Sequence, residues 1–485
     1  MNKRIIIYIL GWVLIVESVA MQVCTVTSLV YGEHEGIYFF LTGVVAAALG
    51  VLAIKVKKPK NMVLYQKAGF AATALSWILM SLVAAVPFYL SGEIPSYLDA
   101  FFESASGFTT TGATILRDVE ALSHGMLLWR SVMIWLGGMG VIVFLLALIP
   151  KLGGQQNIFL MRAESPGPII GKAVPKMRNY AALLYGIYIG LTMSECLLLL
   201  FGGVSFFDAV NVAFSTAGTG GFGIHNNNMA AYQTQYQQTV IAVFMMLFGI
   251  NFSVYILILA RKFKQAFRME ELWFYLGVIA LSTVVIAVNT LQVPRFHNDI
   301  RVTLHQAFFY VSSISTTTGF GIGDVNDWPQ LSKAVIVVIT FTGAMAGSTG
   351  GGFKISRMVI LAKEVKKELS LLIHPRNIKA IKMDGKSLDH TVTRNTSVFL
   401  VVYMAVYVGS FLLVSIEGRD MVTSFTSVAA TLNNTGPGLG DVGPVGNYAD
   451  FTPLSKGVFI FDMIAGRLEL FPILLLLSPS AWKRS

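Results

Sequence analysis

The chain has 485 residues, of which 54% are hydrophobic and 13% charged, where soluble domains carry about 25% charged residues. Apolar runs of the roughly 20 residues needed to cross a bilayer recur from end to end, which excludes a soluble domain and implies an all-α integral membrane protein. The net charge of +10 gives no sign of nucleic-acid binding, and Cys24 and Cys196 lie inside apolar runs, with no disulfide framework or metal cluster.

Residues 1–60 read as an N-terminal two-span hairpin. Lys3 and Arg4 precede an apolar run over 5–31 that is too long for a signal peptide and lacks a small-residue cleavage site. The second span covers 37–54. Residues 61–150 form a first pore repeat, with spans over 68–91 and 124–149 around DAFFESASGFTTTGAT (99–114). The second repeat, 151–262, places DAVNVAFSTAGTGGFG (208–223) between spans over 180–202 and 234–260. The third, 263–378, places QAFFYVSSISTTTGFGIGD (306–324) between 271–292 and 331–361. The fourth, 379–485, places TSFTSVAATLNNTGPGLGD (423–441) between 391–416 and 454–479. The total is about ten spans.

The four interior stretches share a register. From Ala100, Ala209, Ala307 and Ser424 a glycine follows twelve residues on, at Gly112, Gly221, Gly319 and Gly436. Each repeat therefore reads as span, short helix, Thr/Gly turn, span. A helix of about ten residues covers half a bilayer, so it must enter and return. Irregular backbone at that depth survives only where protein or water satisfies it. Each unit begins and ends on one side, and four like-oriented units pack around a pseudo-fourfold axis along the membrane normal, as parallel repeats do.

Charge agrees with this arrangement. Basic residues cluster at 55–67, 151–178, 261–268 and 354–386, and acidic residues such as Glu33, Glu93, Asp118, Asp324 and Asp441 favour the alternate loops. By the positive-inside rule the basic loops and both termini are cytoplasmic.

The turns matter for their backbone. Threonine and glycine hide little of it, and glycine adopts positive φ, so successive carbonyls can face one way. Rings of carbonyls replace the hydration shell of a potassium ion. Thr110-Thr111-Gly112, Thr219-Gly220-Gly221, Thr317-Thr318-Gly319 and Asn434-Thr435-Gly436 are the candidate potassium-binding filter, one quarter each. Only one glycine-centred ring is shared, which predicts weaker discrimination of potassium from sodium than in tetrameric potassium channels, with rubidium accepted.

In the third repeat, FTGAMAGSTGGGFK (341–354) interrupts the second span. Five glycines, each costing about 1 kcal/mol of helix propensity, predict an unwound segment below the filter. Gly343, Gly347, Gly350, Gly351, Gly352 and Lys354 are read as a movable gate; the alternative is a tightly packed kink. Arg467 lies within the last span, where a charge costs about 2.5–3.5 kcal/mol or more. It either faces the path as part of the gate or pairs with Glu103, Glu195 or Asp462. Glu17, Glu103 and Glu195 serve either proton or sodium coupling or structural hydrogen bonding to re-entrant helices. Asp324 and Asp441 either concentrate cations at the mouth or are plain loop charges.

The turn motifs, with FFESASGFTTTG (101–112) and FDMIAGRLELFP (461–472), resemble the TrkH/TrkG group of bacterial potassium uptake membrane subunits, along essentially the whole chain. The resemblance implies potassium uptake across the inner membrane, a homodimer with one ion path per subunit, and a cytoplasmic nucleotide-binding ring of the TrkA type. It also implies an intramembrane loop at 341–354 and an arginine beside it at Arg467. No nucleotide site is visible in this chain itself: GTGGFG (218–223) has no surrounding βαβ unit, and GSTGGGFK (347–354) lacks the Gly-Lys-Ser/Thr ending.

Three classes of function compete. A channel-like potassium pathway is favoured. A proton- or sodium-coupled potassium symporter is the alternative, and its mark would be broken helices at corresponding positions of two halves, whereas only one span is plainly broken in the sequence. A membrane enzyme is not supported, since Ser348 has no basic partner in view.

Overall fold

The computed structural model describes residues 3–56, 66–140, 177–296, 299–375 and 380–479. Helices α1 (Lys3–Tyr31) and α2 (Gly36–Val56) form the expected hairpin. Their crossing depends on glycine: a Cβ on Gly11 would stand 2.8 Å from the Gly50 carbonyl, and one on Gly50 would stand 2.7 Å from that of Gly11. Close backbone approach of this kind is how helices associate where lipid removes the hydrophobic drive.

Four further long helices each open one repeat: α3 (Gln66–Ser91), α6 (Met177–Phe201), α10 (Glu270–Thr290) and α14 (His390–Ser415). With α1 and α2 these are the six described helices long and apolar enough to cross a membrane. Residues such as Val23, Leu49, Leu281 and Val401 are exposed on them, as lipid-facing positions should be. The chain is an all-α integral membrane protein, with one two-stranded hairpin, β1 (Lys382–Met383) and β2 (Lys386–Ser387).

The four short helices that the sequence reads as re-entrant are α4 (Tyr97–Phe108), α7 (Phe206–Gly218), α11 (Ile300–Ser315) and α15 (Met421–Leu432). Each starts at a side-chain cap: Ser96, Ser205, Asp299 and Asp420 accept from the backbone N–H of Asp99, Asp208, Arg301 and Thr423. Such caps satisfy donors that a helix start leaves orphaned.

The second helices differ from the sequence reading. They are α5 (His124–Gly138), α8 (Gln235–Phe248), α12 (Gln330–Thr342) and α16 (Pro453–Arg467), of 15, 14, 13 and 15 residues. At about 1.5 Å per residue they span roughly 20 Å, short of the ~30 Å hydrocarbon core. Past α8 the chain bends by 89° into α9 (Phe252–Leu259). Past α12 an irregular stretch over 343–354 leads to α13 (Ile355–Ile373). Past α16, Glu469 and Leu470 take positive φ before α17 (Phe471–Leu477). Past α5, Met139 and Gly140 leave the helix, and residues 141–149 of that expected span lie outside the described set. The expectation of a break in the third repeat alone is corrected: the second helix of every repeat stops after about four turns.

Packing closes in chain order. Each re-entrant helix lies against the long helix that opens its repeat, and α5 packs on α7, α8 on α11, α12 on α15 and α16 back on α4. On the side of the loops that follow the turns, Glu417 ties α14 to the start of α16. It accepts from the Thr452 N–H (3.2 Å), the Ser455 hydroxyl (2.6 Å) and Arg419 Nε (3.0 Å). Burial raises the Glu417 carboxyl, but these donors outweigh it and hold the group below its ordinary value. A depressed folded pKa stabilises the protein above the unfolded carboxylate value, about 4.3, and that gain is lost as pH falls through the folded value. Glu417→Gln is therefore expected to lower the stability at pH 7 by on the order of 1 kcal/mol, read as a lower unfolding temperature. Its difference from the parent should shrink as pH drops below about 4; thermal unfolding across a pH series checks this.

Candidate functional site

The four re-entrant helices end in the same way. The N–H groups of Thr110, Thr219, Thr317 and Asn434 bond three residues back, at 3.0, 2.9, 3.0 and 3.2 Å. Those of Thr111, Gly220, Thr318 and Thr435 bond five residues back, at 2.9, 3.0, 2.8 and 2.8 Å. This is the Schellman pair of bonds, which needs a left-handed residue just past the helix. Here that residue is Thr110, Thr219, Thr317 or Asn434, at φ 54°, 55°, 60° and 54°. Two residues on, Gly112, Gly221, Gly319 and Gly436 are also left-handed, at 79°, 65°, 85° and 88°. Left-handed and ordinary residues thus alternate along each turn.

The turns meet in a ring. A Cβ on Gly112 would lie 2.1 Å from the Gly220 carbonyl oxygen, one on Gly221 2.0 Å from that of Thr318, one on Gly319 2.2 Å from that of Thr435, and one on Gly436 2.5 Å from that of Thr111. Every glycine abuts the carbonyl that precedes the next glycine, and the fourth closes on the first. All twelve positions singled out in the sequence are therefore brought together. Among the described residues, the carbonyls of Thr110, Thr111, Thr219, Gly220, Thr317, Thr318, Asn434 and Thr435 accept no hydrogen bond. Buried carbonyls are ordinarily paired, so these orphans are a donor set for a cation or water. All four glycines also line one cavity on the loop side, with Arg130, Phe222, Pro437 and Tyr448.

Side chains hold the ring from behind. Buried Glu103 accepts from Thr114 Oγ1 (3.0 Å), the Ile115 N–H (3.1 Å) and Arg130 Nε (2.8 Å). Arg130 Nη1 donates to the Gly223 carbonyl (2.9 Å), with its guanidinium 4.1 Å from the Phe222 ring centroid. One ion pair thus ties the first repeat's turn to the second's. Sequence reasoning missed Arg130; a lone arginine inside the apolar run 124–149 was the available signal. Tyr448 donates to the Gly436 carbonyl (2.8 Å).

The glycine-rich stretch 343–354 lies against the other end of the turns. A Cβ on Gly350 would stand 2.7 Å from the Thr316 carbonyl, and one on Gly351 2.5 Å from that of Asn433. The Gly351 N–H donates to Thr317 Oγ1 (2.6 Å). The stretch also pairs with the α8–α9 break: Met345 N–H donates to the Gly249 carbonyl (3.2 Å) and Phe252 N–H to that of Gly347 (3.0 Å). Ala346 N–H donates to Glu271 (2.7 Å), and Lys354, at φ 78°, turns its ammonium onto the Gly350 carbonyl.

Arg467 joins this stretch to the first repeat. Nη1 donates to the Thr349 carbonyl (2.8 Å), and Nη2 to those of Gly137 (2.6 Å) and Gly138 (2.7 Å) at the end of α5. A cation at a helix C-terminus complements its dipole and its orphan carbonyls. Pairing of Arg467 with Glu103, Glu195 or Asp462 is corrected: Glu103 holds Arg130, Asp462 accepts from Ser410 (2.6 Å), and the Thr216 hydroxyl near Glu195 is turned to the Val212 carbonyl (2.9 Å). Glu469 pairs with Arg357 at 2.5 Å. Of Glu17, Glu103 and Glu195, the three that the sequence singles out, Glu103 is structurally hydrogen-bonded, and to the segment past the turn rather than to re-entrant helix backbone. Glu17 has no hydrogen-bond partner on either oxygen among the described residues. Asp441 pairs with Arg419 (2.9 Å) and Asp324 accepts from the Asn326 N–H (2.9 Å), which favours structural roles for both.

A family model described as "TrkH: Cation transport protein" matches residues 36–484. The chain belongs to the TrkH family. It is 37% identical, over the whole of both chains, to the Trk system potassium uptake protein TrkH of Salmonella typhimurium. It is 32% identical to the Trk system potassium uptake protein TrkG of Escherichia coli, over 99% of each. The crystal structure of the potassium transporter TrkH from Vibrio parahaemolyticus superposes with a TM-score of 0.89 at 31% identity, covering all of both chains. Family and structural neighbour are transporters, which sets the enzyme reading aside. Breaks after α8, α12 and α16 occur in three repeats rather than in two halves alone, so broken spans do not single out a symporter.

Arg130 and Glu103 are both nearly inaccessible, at side-chain exposures of 2% and 0%. Removing one partner of a buried pair costs about 3–5 kcal/mol. Arg130→Met should lower the unfolding temperature of the purified protein sharply, and the double variant Arg130→Met/Glu103→Leu should recover part of that loss in the same thermal assay.

Proposed function

We propose that this TrkH-family chain takes up potassium, and also rubidium, across the inner membrane through a channel-like pore. The orphaned carbonyls of the four closed turns carry this reading. A dehydrated cation needs oxygens in place of its water, and a ring of backbone dipoles supplies them without a formal charge. The names of the relatives, potassium uptake proteins over the full length, support the choice of ion.

The filter is Thr110-Thr111-Gly112, Thr219-Gly220-Gly221, Thr317-Thr318-Gly319 and Asn434-Thr435-Gly436, set around a pseudo-fourfold axis. Below it the gate comprises Gly343, Gly347, Gly350, Gly351, Gly352, Lys354 and Arg467. Its contact with Thr316 and Asn433 supports a barrier at the inner end of the filter, and the Arg467 guanidinium both pins the loop and repels a passing cation. The basic loops and both termini are assigned to the cytoplasm, the ring-lining cavity to the outside. The chain acts as a homodimer with a cytoplasmic TrkA-type ring, as membrane subunit of a Trk system, and binds no nucleotide itself.

The test is rubidium uptake into liposomes holding only this chain, with sodium and proton gradients set independently. Flux that follows the rubidium gradient alone is expected; flux that needs a second gradient would instead mean symport. In the same assay Gly319→Ser, whose Cβ would crowd the Thr435 carbonyl, should cut the preference for rubidium over sodium about tenfold, or about 1.4 kcal/mol. An unchanged preference would overturn the filter assignment. Arg467→Ala, which frees the Thr349 carbonyl, should raise basal flux; lower flux at normal expression would make the arginine purely structural.

A further inference from the structure

The four left-handed residues of the turns are alike in backbone and unlike in what holds their side chains. Thr110 Oγ1 has no hydrogen-bond partner among the described residues. Thr219 Oγ1 donates to the adjacent Gly218 carbonyl (2.6 Å). Asn434 Nδ2 donates to Thr111 Oγ1 (2.9 Å) and to the Met463 carbonyl (2.8 Å). Thr317 alone among the four is held by the glycine-rich loop, through the Gly351 N–H at 2.6 Å. That bond runs from the segment beneath the ring to a side chain at the ring's loop-facing end, and Thr317 is fully buried.

We propose that Thr317 couples the ion in the filter to the position of the 343–354 loop, its hydroxyl oxygen being contested by the Gly351 N–H and the permeant cation. The inference rests on the ring being the ion path, as read above. The oxygen has two lone pairs. With the inner end of the filter unoccupied, it accepts from Gly351 and helps seat the loop. A potassium-sized cation at that end draws the same oxygen toward itself, which weakens the bond to Gly351 and favours loop release. By linkage the effect is reciprocal: a seated loop lowers the affinity of the inner site by the factor by which the cation loosens the loop. Sodium, costlier to dehydrate than potassium, occupies the inner site less and leaves the loop seated. Neighbouring contacts make the loop responsive to such a change. Gly350 and Gly351 touch the carbonyl ends of α11 and α15, where no side chain fits between them.

Thr317 is thus a positioning residue whose signature is cation dependence of the loop. The test is hydrogen–deuterium exchange of residues 343–354 in the full-length purified chain, in potassium and in sodium buffers. Exchange is expected to be at least about fivefold faster in potassium, at the low end of ordinary coupling. Thr317→Ser keeps the oxygen and should keep the difference. Thr317→Val, and Thr317→Ala should valine fail to fold, removes the oxygen and should give fast exchange in both buffers. Cation-independent exchange in the parent chain, or a parent-like difference in the hydroxyl-free variants, would overturn the coupling. Rubidium flux through the parent chain in liposomes separates the two levels. Flux with cation-independent exchange rejects the coupling alone, and absence of flux under any combination of gradients rejects the uptake reading.

Discussion

Backbone polar groups at membrane depth must find partners, and every unusual feature of this chain is an answer to that constraint. Four second helices stop after 13 to 15 residues, and each stop leaves carbonyls with no partner in their own helix. The break after α8 and the stretch after α12 solve the problem together, each bonding the other's free groups. The end of α5 is served by Arg467, whose guanidinium has enough donors to reach two of its carbonyls and one of the loop. Against this background the unpaired carbonyls of the four turns stand apart. In each of the four turns, two successive carbonyls ahead of the glycine go unpaired, the same pattern four times over.

The turns also store strain. A β-branched residue in the left-handed region is a genuine outlier, and each such residue costs on the order of 1–3 kcal/mol. Three of the four are threonine, where glycine would be cheaper. Strain of that kind persists only when its surroundings over-determine it. The Schellman bonds, the buried Glu103–Arg130 pair and the glycine contacts around the ring supply that support. Threonine retains what glycine lacks, a hydroxyl beside the ring.

Much of this was legible in the sequence because membrane proteins write their constraints openly. The offset of twelve from Ala100, Ala209, Ala307 and Ser424 placed all twelve turn residues. Five glycines in fourteen residues announced the broken third repeat. The other breaks left fainter traces. Gly249 and Asn251 stand alone in an apolar run, and around 468–470 the backbone turns at Glu469 and Leu470, residues with no reputation for leaving a helix. Tertiary contacts decide those bends, and local propensity does not report them. The partner of Arg467 was sought among carboxylates because charge suggests countercharge. Helix-end carbonyls, which no sequence pattern displays, took that place. Arg130 was visible as a letter but its role depends on Glu103 and Gly223, far apart in the chain and adjacent only in the fold.

Because the ring closes within one polypeptide, its four walls are encoded by four separate stretches of gene. In a ring built from four identical subunits, any substitution strikes every wall at once and most such changes are ruinous. Here a single codon alters one wall and leaves three intact. The present chain already shows the result, with asparagine at 434 where the other turns carry threonine, and glycine at 220 where the others carry Thr111, Thr318 and Thr435. The ring can therefore be adjusted by quarters, and each quarter is free to take on a separate duty.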